Sequence, residues 1–368
     1  MLWSYPVGLM TAELSTAFPR DGGFVLWVEA AYGKRAAFHI GWWAWASSAI
    51  DTALYPVMFA SFLQGTMGAN FSPMFIGIVR FIFAAVVTLI NLLGVDAVGR
   101  FSIGFGVVVL APVVLLIAVC IPNIKPSNWL KPTPKTDLVA WVNLALWNLN
   151  GWDAGATIGD QVQDPVSTIP KALAFAMILV IVPYVVTILA ATGVDANFGS
   201  YHNGQFNEIA EQQGGAILGG LFACASVASA MGMYVSDVTT SSYMMSGMAV
   251  DGVLPSIFAR RFPPHFDSPV IPILLVFSIV NVLLFLPFSR ILEADNFLYS
   301  LQVCQALFSA PLCPVHIPVP ISGAMAQDLW TDPSSLHQLL TEIAAFLQLR
   351  VIKPDLPRPF RVNLSTPW

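Results

Sequence analysis

Charged side chains are scarce in this sequence, and their scarcity excludes a typical soluble domain. Asp, Glu, Lys and Arg supply 10% of the 368 residues, against about 25% in an average soluble domain. Hydrophobic residues reach 56%, and the mean hydropathy is +0.71. This balance predicts an all-α, multi-pass integral membrane protein whose surroundings are a lipid bilayer.

Several kinds of functional site are missing as well. No basic run or stripe suits a phosphate backbone, which excludes nucleic acid as a partner. The cysteines have no metal-ligand spacing and are interpreted as free thiols: Cys120, Cys224, Cys304 and Cys313. The histidines are scattered: His39, His202, His265, His316 and His337. Because no nucleophile–base pair, phosphate-binding glycine loop or zinc motif occurs, we predict neither an enzyme nor a metal or other cofactor.

The first 18 residues, "MLWSYPVGLMTAELSTAF", lack the basic start and the cleavage site of a signal peptide. They form one of eight apolar windows of about 20 residues, each of which predicts a membrane-spanning helix. The windows are 2–18, 39–65, 74–93, 101–121, 138–160, 169–193, 215–248 and 269–288. A ninth begins near Ile291. Residues 1–302 are therefore predicted to form one transmembrane domain.

Lys and Arg are concentrated in alternate loops between these windows. One set of loops, with the C-terminal tail, holds most of the basic residues, starting with Arg20, Lys34 and Arg35. Cytoplasmic loops of membrane proteins carry this excess. The bias places the loop after the first window in the cytoplasm.

Residues 303–338 interrupt an otherwise continuous helical pattern. This stretch holds five prolines. When it is removed, "NFLYSLQ" joins "LLTEIAAFLQLR" into one spanning helix with a basic end. We interpret residues 303–338 as retained intron sequence; a genuine loop insertion is the alternative. Residues 339–368 are then the end of this helix and a cytoplasmic tail.

The window 138–160 contains polar residues where a spanning helix should be apolar. In "LWNLNGWDAGATIGD", Asn148, Asn150, Gly151 and Asp153 follow an apolar run. Non-helical backbone at membrane depth is tolerated where it lines a cavity, and broken helices build many transporter binding sites. We predict a helix broken at Gly151, with the indole of Trp147 above the gap. A kinked helix whose asparagines bond to neighbouring helices is the alternative.

A second polar group occurs in "SSAIDTALYP". Ser47, Asp51 and Tyr55 recur every four residues and therefore share one face of a helix. A carboxylate inside a membrane requires a cationic partner. Arg80 on the next window would form an internal ion pair, whereas a substrate amine would make Asp51 a binding residue.

Glu13 and Asp237 are weaker candidates. Glu13 lies within the first window, where it would either bond to helix ends or take part in proton movement. Asp237 lies in the Ser- and Thr-rich "MYVSDVTTSSYMMSGMA" and is expected to face a cytoplasmic vestibule. With Asp153, these two are the candidates for proton coupling.

Four stretches resemble a known family: "AELSTAFPRDGGFVLWVEAAYG", "IDTALYPV", "LWNLNGWDAGATIGDQVQDPVSTIPKAL" and "PDLPRPFRV". They are similar to the amino acid–polyamine–organocation superfamily, in particular to polyamine transporters of the plant and protist L-amino-acid-transporter type. The resemblance implies the leucine-transporter fold, with two inverted five-helix repeats and two further helices. It also implies proton-coupled uptake of putrescine, spermidine or related cationic amino acids by alternating access, with the plasma membrane as location.

The resemblance assigns roles to individual residues. Window 138–160 corresponds to the sixth helix of the family, in which Trp147 stacks on the cationic end of the substrate, a contact of about 2 kcal/mol when desolvated. Asp153 lies just past the break, where it meets a proton or an amine. Asp51 and Tyr55 fall on the third helix, which lines the same cavity. We predict that Asp51 and Asp153 neutralise a dication while Trp147 and Tyr55 pack its methylene chain.

The sequence departs from the family pattern at three places. The first helix of the fold and the last two are expected to be absent. After the broken helix Gln161 stands where the family usually has Glu, so that any role of this carboxylate is lost or moves to Asp160. Two alternatives follow: a truncated membrane fragment that transports nothing, and a neutral amino-acid transporter of the same superfamily.

Overall fold

A computed structural model of the protein describes residues 4–67, 71–131, 151–201, 205–262 and 267–287. It also describes residues 290–291, 294, 343–350, 352–353 and 355–362. Within these ranges the regular structure is helical, and the one β-type contact is an isolated antiparallel bridge between Asp21 and Ile158. The predicted all-α class is confirmed.

Nine α-helices account for most of the described chain. They are α1 (Ser4–Ala17), α2 (Phe24–Tyr32), α3 (Lys34–Asp51), α4 (Leu54–Met67), α5 (Pro73–Leu92), α6 (Val95–Cys120), α7 (Pro165–Val194), α8 (Gln205–Val250) and α9 (Val270–Leu283). Residues 343–350 are helical as well. By length and composition, α5, α6, α7 and α8 can each cross a membrane, and α9 is a shorter apolar helix.

The helix α5 shows how the sequence forms a membrane span. Its start is set by Ser72, whose hydroxyl accepts a hydrogen bond from the Phe75 N–H at 3.3 Å, and by Pro73 in the first turn. Both faces are apolar. One is buried in the bundle: Ile76, Phe83, Val87 and Ile90. The other is exposed: Ile78, Phe81, Ile82 and Leu89. A helix that is hydrophobic all round fits a lipid-facing position.

The window 39–65 was predicted as one helix, and this prediction is wrong. The structure divides it into α3 and α4, with Thr52 and Ala53 between them. Pro56 lies in the first turn of α4, where its missing N–H is tolerated, and its ring excludes a helical bond to the carbonyl of Thr52 four residues earlier. The chain is therefore broken beside Asp51. The short helix α2, which precedes this window, was not predicted.

The longest helix, α8, also contains a break. Gly215 has a φ of 72°, a left-handed conformation that favours glycine, inside Gln205–Val250. The part that follows corresponds to the predicted window 215–248. This part forms the centre of the packing, because α3, α4, α5, α6 and α9 all contact it.

Polar side chains fasten α5 to the buried face of α8. The hydroxyls of Thr88 and Tyr234 lie 2.9 Å apart, and the Thr239 hydroxyl donates to Asn91 Oδ1 at 2.6 Å. All four side chains are buried. Because lipid offers no hydrogen-bond partner, such pairs stabilise helix association in a membrane.

Loops gather at two opposite ends of the bundle. At one end, the segments around Asp21, Asp160 and Arg261 contact one another. At the other, the Lys125 N–H and the Asn128 side chain both donate to the carbonyl of Gly193. The charge pattern predicts that the end with Asp21 faces the cytoplasm. We refer to it as the cytoplasmic end, and this orientation stays a prediction.

Candidate functional site

Three polar side chains from three helices meet where α3 and α4 separate. Asp51 is the last residue of α3, Tyr55 is the second residue of α4, and Asp237 comes from α8. The Tyr55 hydroxyl donates to Asp51 Oδ2 at 2.7 Å. Asp237 is a near neighbour of both Asp51 and Tyr55 and interacts electrostatically with them. We call these three residues the carboxyl cluster.

The carboxyl cluster lies well inside the bundle. Tyr55 is 8% exposed, and Asp51 and Asp237 are half-buried. At 1.5 Å per helical residue, Asp51 is about 25 Å along α3 from its cytoplasmic end, and Asp237 is about 20 Å along α8 from its own. Both distances fall within a hydrocarbon core that is about 30 Å thick.

Sequence spacing predicted part of this cluster. Tyr55 lies against Asp51, as the four-residue spacing indicated. Arg80, the internal partner considered for Asp51, instead donates its Nη1 to the carbonyl of Leu284 at 3.0 Å. Asp237 was expected to face a cytoplasmic vestibule, and the structure places it in the carboxyl cluster. Only helix packing brings Asp237 to Asp51, and the local sequence contains no signal for this contact.

The opening residues of the polar stretch lie outside the described part of the chain: Trp147, Asn148 and Asn150. The structure describes the backbone from Gly151 onward, and residues 151–164 are not α-helical. Gly151 has a φ of 86°, and two short 3₁₀ turns follow, Ala154–Thr157 and Gly159–Gln161. The part of window 138–160 after Gly151 is thus unwound. Asp153 begins the first turn and is half-buried.

At the cytoplasmic end, the carboxylate of Asp21 accepts three hydrogen bonds. The backbone N–H of Asp160 donates to Oδ1 at 3.0 Å, and Gln161 Nε2 donates to Oδ2 at 3.1 Å. Arg261 Nη2 forms an ion pair with Oδ2. Burial raises the pKa of the Asp21 carboxyl, and the charge of Arg261 opposes this shift. Asp21 therefore joins the loop after α1, the turns after Gly151 and the loop between α8 and α9.

The side chain of Gln161 binds Asp21, a contact that the sequence did not predict. Its side-chain amide donates to Asp21, whereas a carboxylate at this position would repel Asp21. Asp160 contributes its backbone N–H to the same carboxylate. Asp21 lies in the stretch "AELSTAFPRDGGFVLWVEAAYG", and these contacts of its carboxylate were not predicted.

Glycines allow close contact between α8 and the Asp21 loop. A Cβ atom on Gly247 would overlap the backbone of Asp21 and Gly22. We expect Gly247→Ala to destabilise the protein by about 1–3 kcal/mol through overpacking. Gly220→Ala is the matched control in the same helix, because its Cβ meets open space and alanine favours the helix. Thermal unfolding in detergent compares the two; equal midpoints would contradict the close contact.

Glu13 on α1 is completely buried and pairs with the end of helix 343–350 and with the segment that follows it. Arg350 Nη2 and the Val362 N–H donate to Glu13 Oε2 at 2.5 Å and 2.8 Å. Arg358 Nε lies 3.3 Å from Oε1. Arg358 also donates to the carbonyls of Leu349 and Lys353. Of the two roles considered for Glu13, these contacts match the bond to a helix end; a role in proton movement stays a prediction.

The chain matches known membrane proteins along most of its length. The amino acid permease family model matches residues 1–315. The polyamine transporter PUT1 of rice is 35% identical over 370 residues, which cover 100% of this chain and 62% of the rice protein. The polyamine transporter RMV1 of Arabidopsis thaliana is 34% identical, with 95% of this chain and 73% of that protein covered. A more distant relative is the probable agmatine/putrescine antiporter AguD of Lactococcus lactis, at 22% identity.

Proposed function

This chain belongs to the amino acid permease family, and from that premise we propose that it carries small organic cations across a membrane by alternating access. Polyamines such as putrescine are the preferred substrates, with cationic amino acids as related ones. The chain spans 62% of the length of the rice relative. Transport by this chain is therefore part of the proposal. We further propose that transport is proton-coupled and takes place at the plasma membrane.

The observation that carries the proposal is the carboxyl cluster. Removing an unpaired ammonium group from water costs far more than an aromatic contact returns. A membrane-embedded site for a polyamine therefore requires negative groups at the substrate. Asp51 and Asp237 supply two carboxyls side by side, and Tyr55 adds a hydroxyl and an apolar ring.

The polar stretch belongs to the proposal as well. Asp153 begins a 3₁₀ turn that packs against α8 and lies beside the Asp21 loop, where the Gly22 N–H donates to the Thr157 carbonyl. In the proposal Asp153 and Asp51 meet the two ends of a diamine, and Trp147, Asn148 and Asn150 line the path beside the break at Gly151. A neutral amino acid would not require so many carboxyls, and this argues against the neutral alternative.

Uptake by cells tests the proposed substrate class. The chain is expressed in yeast cells that lack endogenous polyamine uptake, and entry of radiolabelled putrescine is measured. We expect Asp51→Asn and Asp237→Asn each to lower uptake at least tenfold, because a lost charge partner inside a membrane costs about 1.4 kcal/mol or more.

Asp96→Asn is the control for this experiment. Asp96 is an exposed carboxylate in the first turn of α6, far along the chain from the carboxyl cluster. Surface abundance of each variant is measured by labelling, so that uptake is compared per molecule. Inhibition by spermidine but not by leucine supports the cation class. Inhibition by leucine alone, or normal uptake by Asp51→Asn, contradicts it.

A further inference from the structure

We infer that the segment after helix 343–350, together with the start of α3, binds the phosphate group of an anionic membrane lipid. The inference concerns a surface outside the carboxyl cluster and does not depend on transport. It rests on three exposed basic residues at the end of the bundle that is predicted to be cytoplasmic. We call them the basic surface: Arg35, Lys353 and Arg361.

The backbone of Lys353 is held in place at the end of helix 343–350. Its N–H donates to the Leu349 carbonyl at 3.1 Å, and its own carbonyl accepts from Arg358 at 3.1 Å. The Lys353 side chain is exposed and forms no ion pair with a described residue. The ammonium group therefore projects from a fixed position and is free to bind a ligand.

Arg361 is fixed in a similar way. It precedes Val362, whose N–H donates to Glu13 at 2.8 Å and whose carbonyl accepts from Arg350 at 2.9 Å. Arg361 is exposed as well, and it has no ion-pair partner among the residues that the structure describes. Because a guanidinium group can donate two parallel hydrogen bonds to phosphate oxygens, Arg361 suits a phosphate ligand.

Positive charge exceeds negative charge around this segment. Residues 350–361 include four basic side chains and one acidic one, the exposed Asp355. Glu13 adds a second carboxylate from α1, so four positive charges meet two negative ones and leave a net charge of +2. Basic clusters at the cytoplasmic end of membrane helices attract anionic headgroups.

A hydrogen bond joins helix 343–350 to the end of α2, close to the start of α3. Gln348 Nε2 donates to the Ala31 carbonyl at 3.1 Å. Arg35 follows Ala31 by four residues, which span at most about 14 Å. Arg35 is exposed and makes no ion pair within the described part of the chain. The start of α3 thus extends the basic surface.

Exposed apolar side chains place the basic surface at the depth of lipid headgroups. Ile352, the neighbour of Lys353, is 54% exposed. On α3, Phe38 and Trp42 follow Arg35 at helical spacing, are both exposed, and stack with their ring centroids 6.3 Å apart. Tryptophan and the apolar stems of basic residues are typical of the membrane–water interface. A lipid headgroup is therefore a better source of the phosphate than the solution.

Lipid binding by the purified full chain tests this inference. The chain in neutral detergent is equilibrated with mixed micelles that contain radiolabelled phosphatidic acid or phosphatidylcholine, and bound lipid is counted. We expect tighter binding of phosphatidic acid, with an affinity that falls as the salt concentration rises. Lys353→Gln combined with Arg361→Gln should lower this affinity about 25-fold, because each basic residue near an anionic surface contributes about fivefold.

Two further double variants make the outcome specific. Lys125→Gln with Lys131→Gln removes the same charge from exposed lysines at the opposite end and should leave the affinity unchanged. Lys353→Arg with Arg361→Lys keeps both charges and should retain binding. Equal affinity for the two lipids, or an equal loss in both uncharged double variants, would overturn the inference. Displacement of the lipid by inorganic phosphate at millimolar concentration would overturn the assignment to a lipid and identify a site for free phosphate.

Discussion

Glu13→Ala is expected to lower the free energy of unfolding by about 3–5 kcal/mol. Glu13 is completely buried and pairs with two guanidinium groups, those of Arg350 and Arg358. Arg350 and Arg358 are themselves only 17% and 6% exposed. Removing the carboxylate leaves two positive charges together with little access to water. It also leaves the Val362 N–H without its acceptor.

Unfolding of the purified chain in detergent, followed by tryptophan fluorescence during an SDS titration, measures this loss. Glu211→Ala is the control, because Glu211 is an exposed carboxylate on α8. Replacing the carboxylate together with both arginines by Met should recover part of the stability, since well-packed apolar residues often substitute for a buried ion group. A loss no larger than that of Glu211→Ala would contradict the buried pairing.

The contacts of Glu13 show which part of the structure sequence can predict. Apolar windows located the helices, because lipid requires long apolar segments. The four-residue spacing of Asp51 and Tyr55 also predicted their contact, although they lie on two helices, because the break at Thr52 and Ala53 is short enough to keep them adjacent. The partners of Glu13 lie more than 330 residues away in the sequence. Such contacts depend on how distant helices pack, which a pattern within one helix does not record.

The break between α3 and α4 is an intermediate case. The position of the break follows from the ring of Pro56 and the carbonyl of Thr52. The rule that proline interrupts a helix could therefore have located this break. No comparable rule predicts that Asp237 lies close to Asp51. The roles of the proposed site residues, the boundaries at 303 and 338 and the inverted repeats remain predictions.

Arg261→Gln is expected to lower the free energy of unfolding by about 3–5 kcal/mol at neutral pH. The Asp21 side chain is 2% exposed, and Arg261 provides its positive partner. Without the guanidinium, a buried carboxylate keeps only the donors from Asp160 and Gln161. The loop after α1 would then separate more readily from the turns after Gly151.

This loss should depend on pH in a defined direction. Burial already raises the pKa of Asp21 above its ordinary value of 3.8. Removal of Arg261 raises it further in the folded state, because the opposing charge is gone. A folded state that binds a proton more tightly than the unfolded chain gains stability as the pH falls through the raised pKa. The deficit of Arg261→Gln is therefore largest at neutral pH and shrinks towards acid pH.

The neighbouring arginine provides the matched control. Arg260 is exposed, so Arg260→Gln should change the free energy of unfolding by less than about 0.5 kcal/mol at any pH. Asp21→Asn combined with Arg261→Gln removes both charges and should abolish the pH dependence of the deficit. SDS titrations at a series of pH values compare these chains. A deficit that is constant with pH, or that is shared by Arg260→Gln, would show that Asp21 does not depend on Arg261 for its charge. Since Asp21 joins three segments distant in sequence, the same variants measure how much of the stability of this junction depends on one ion pair.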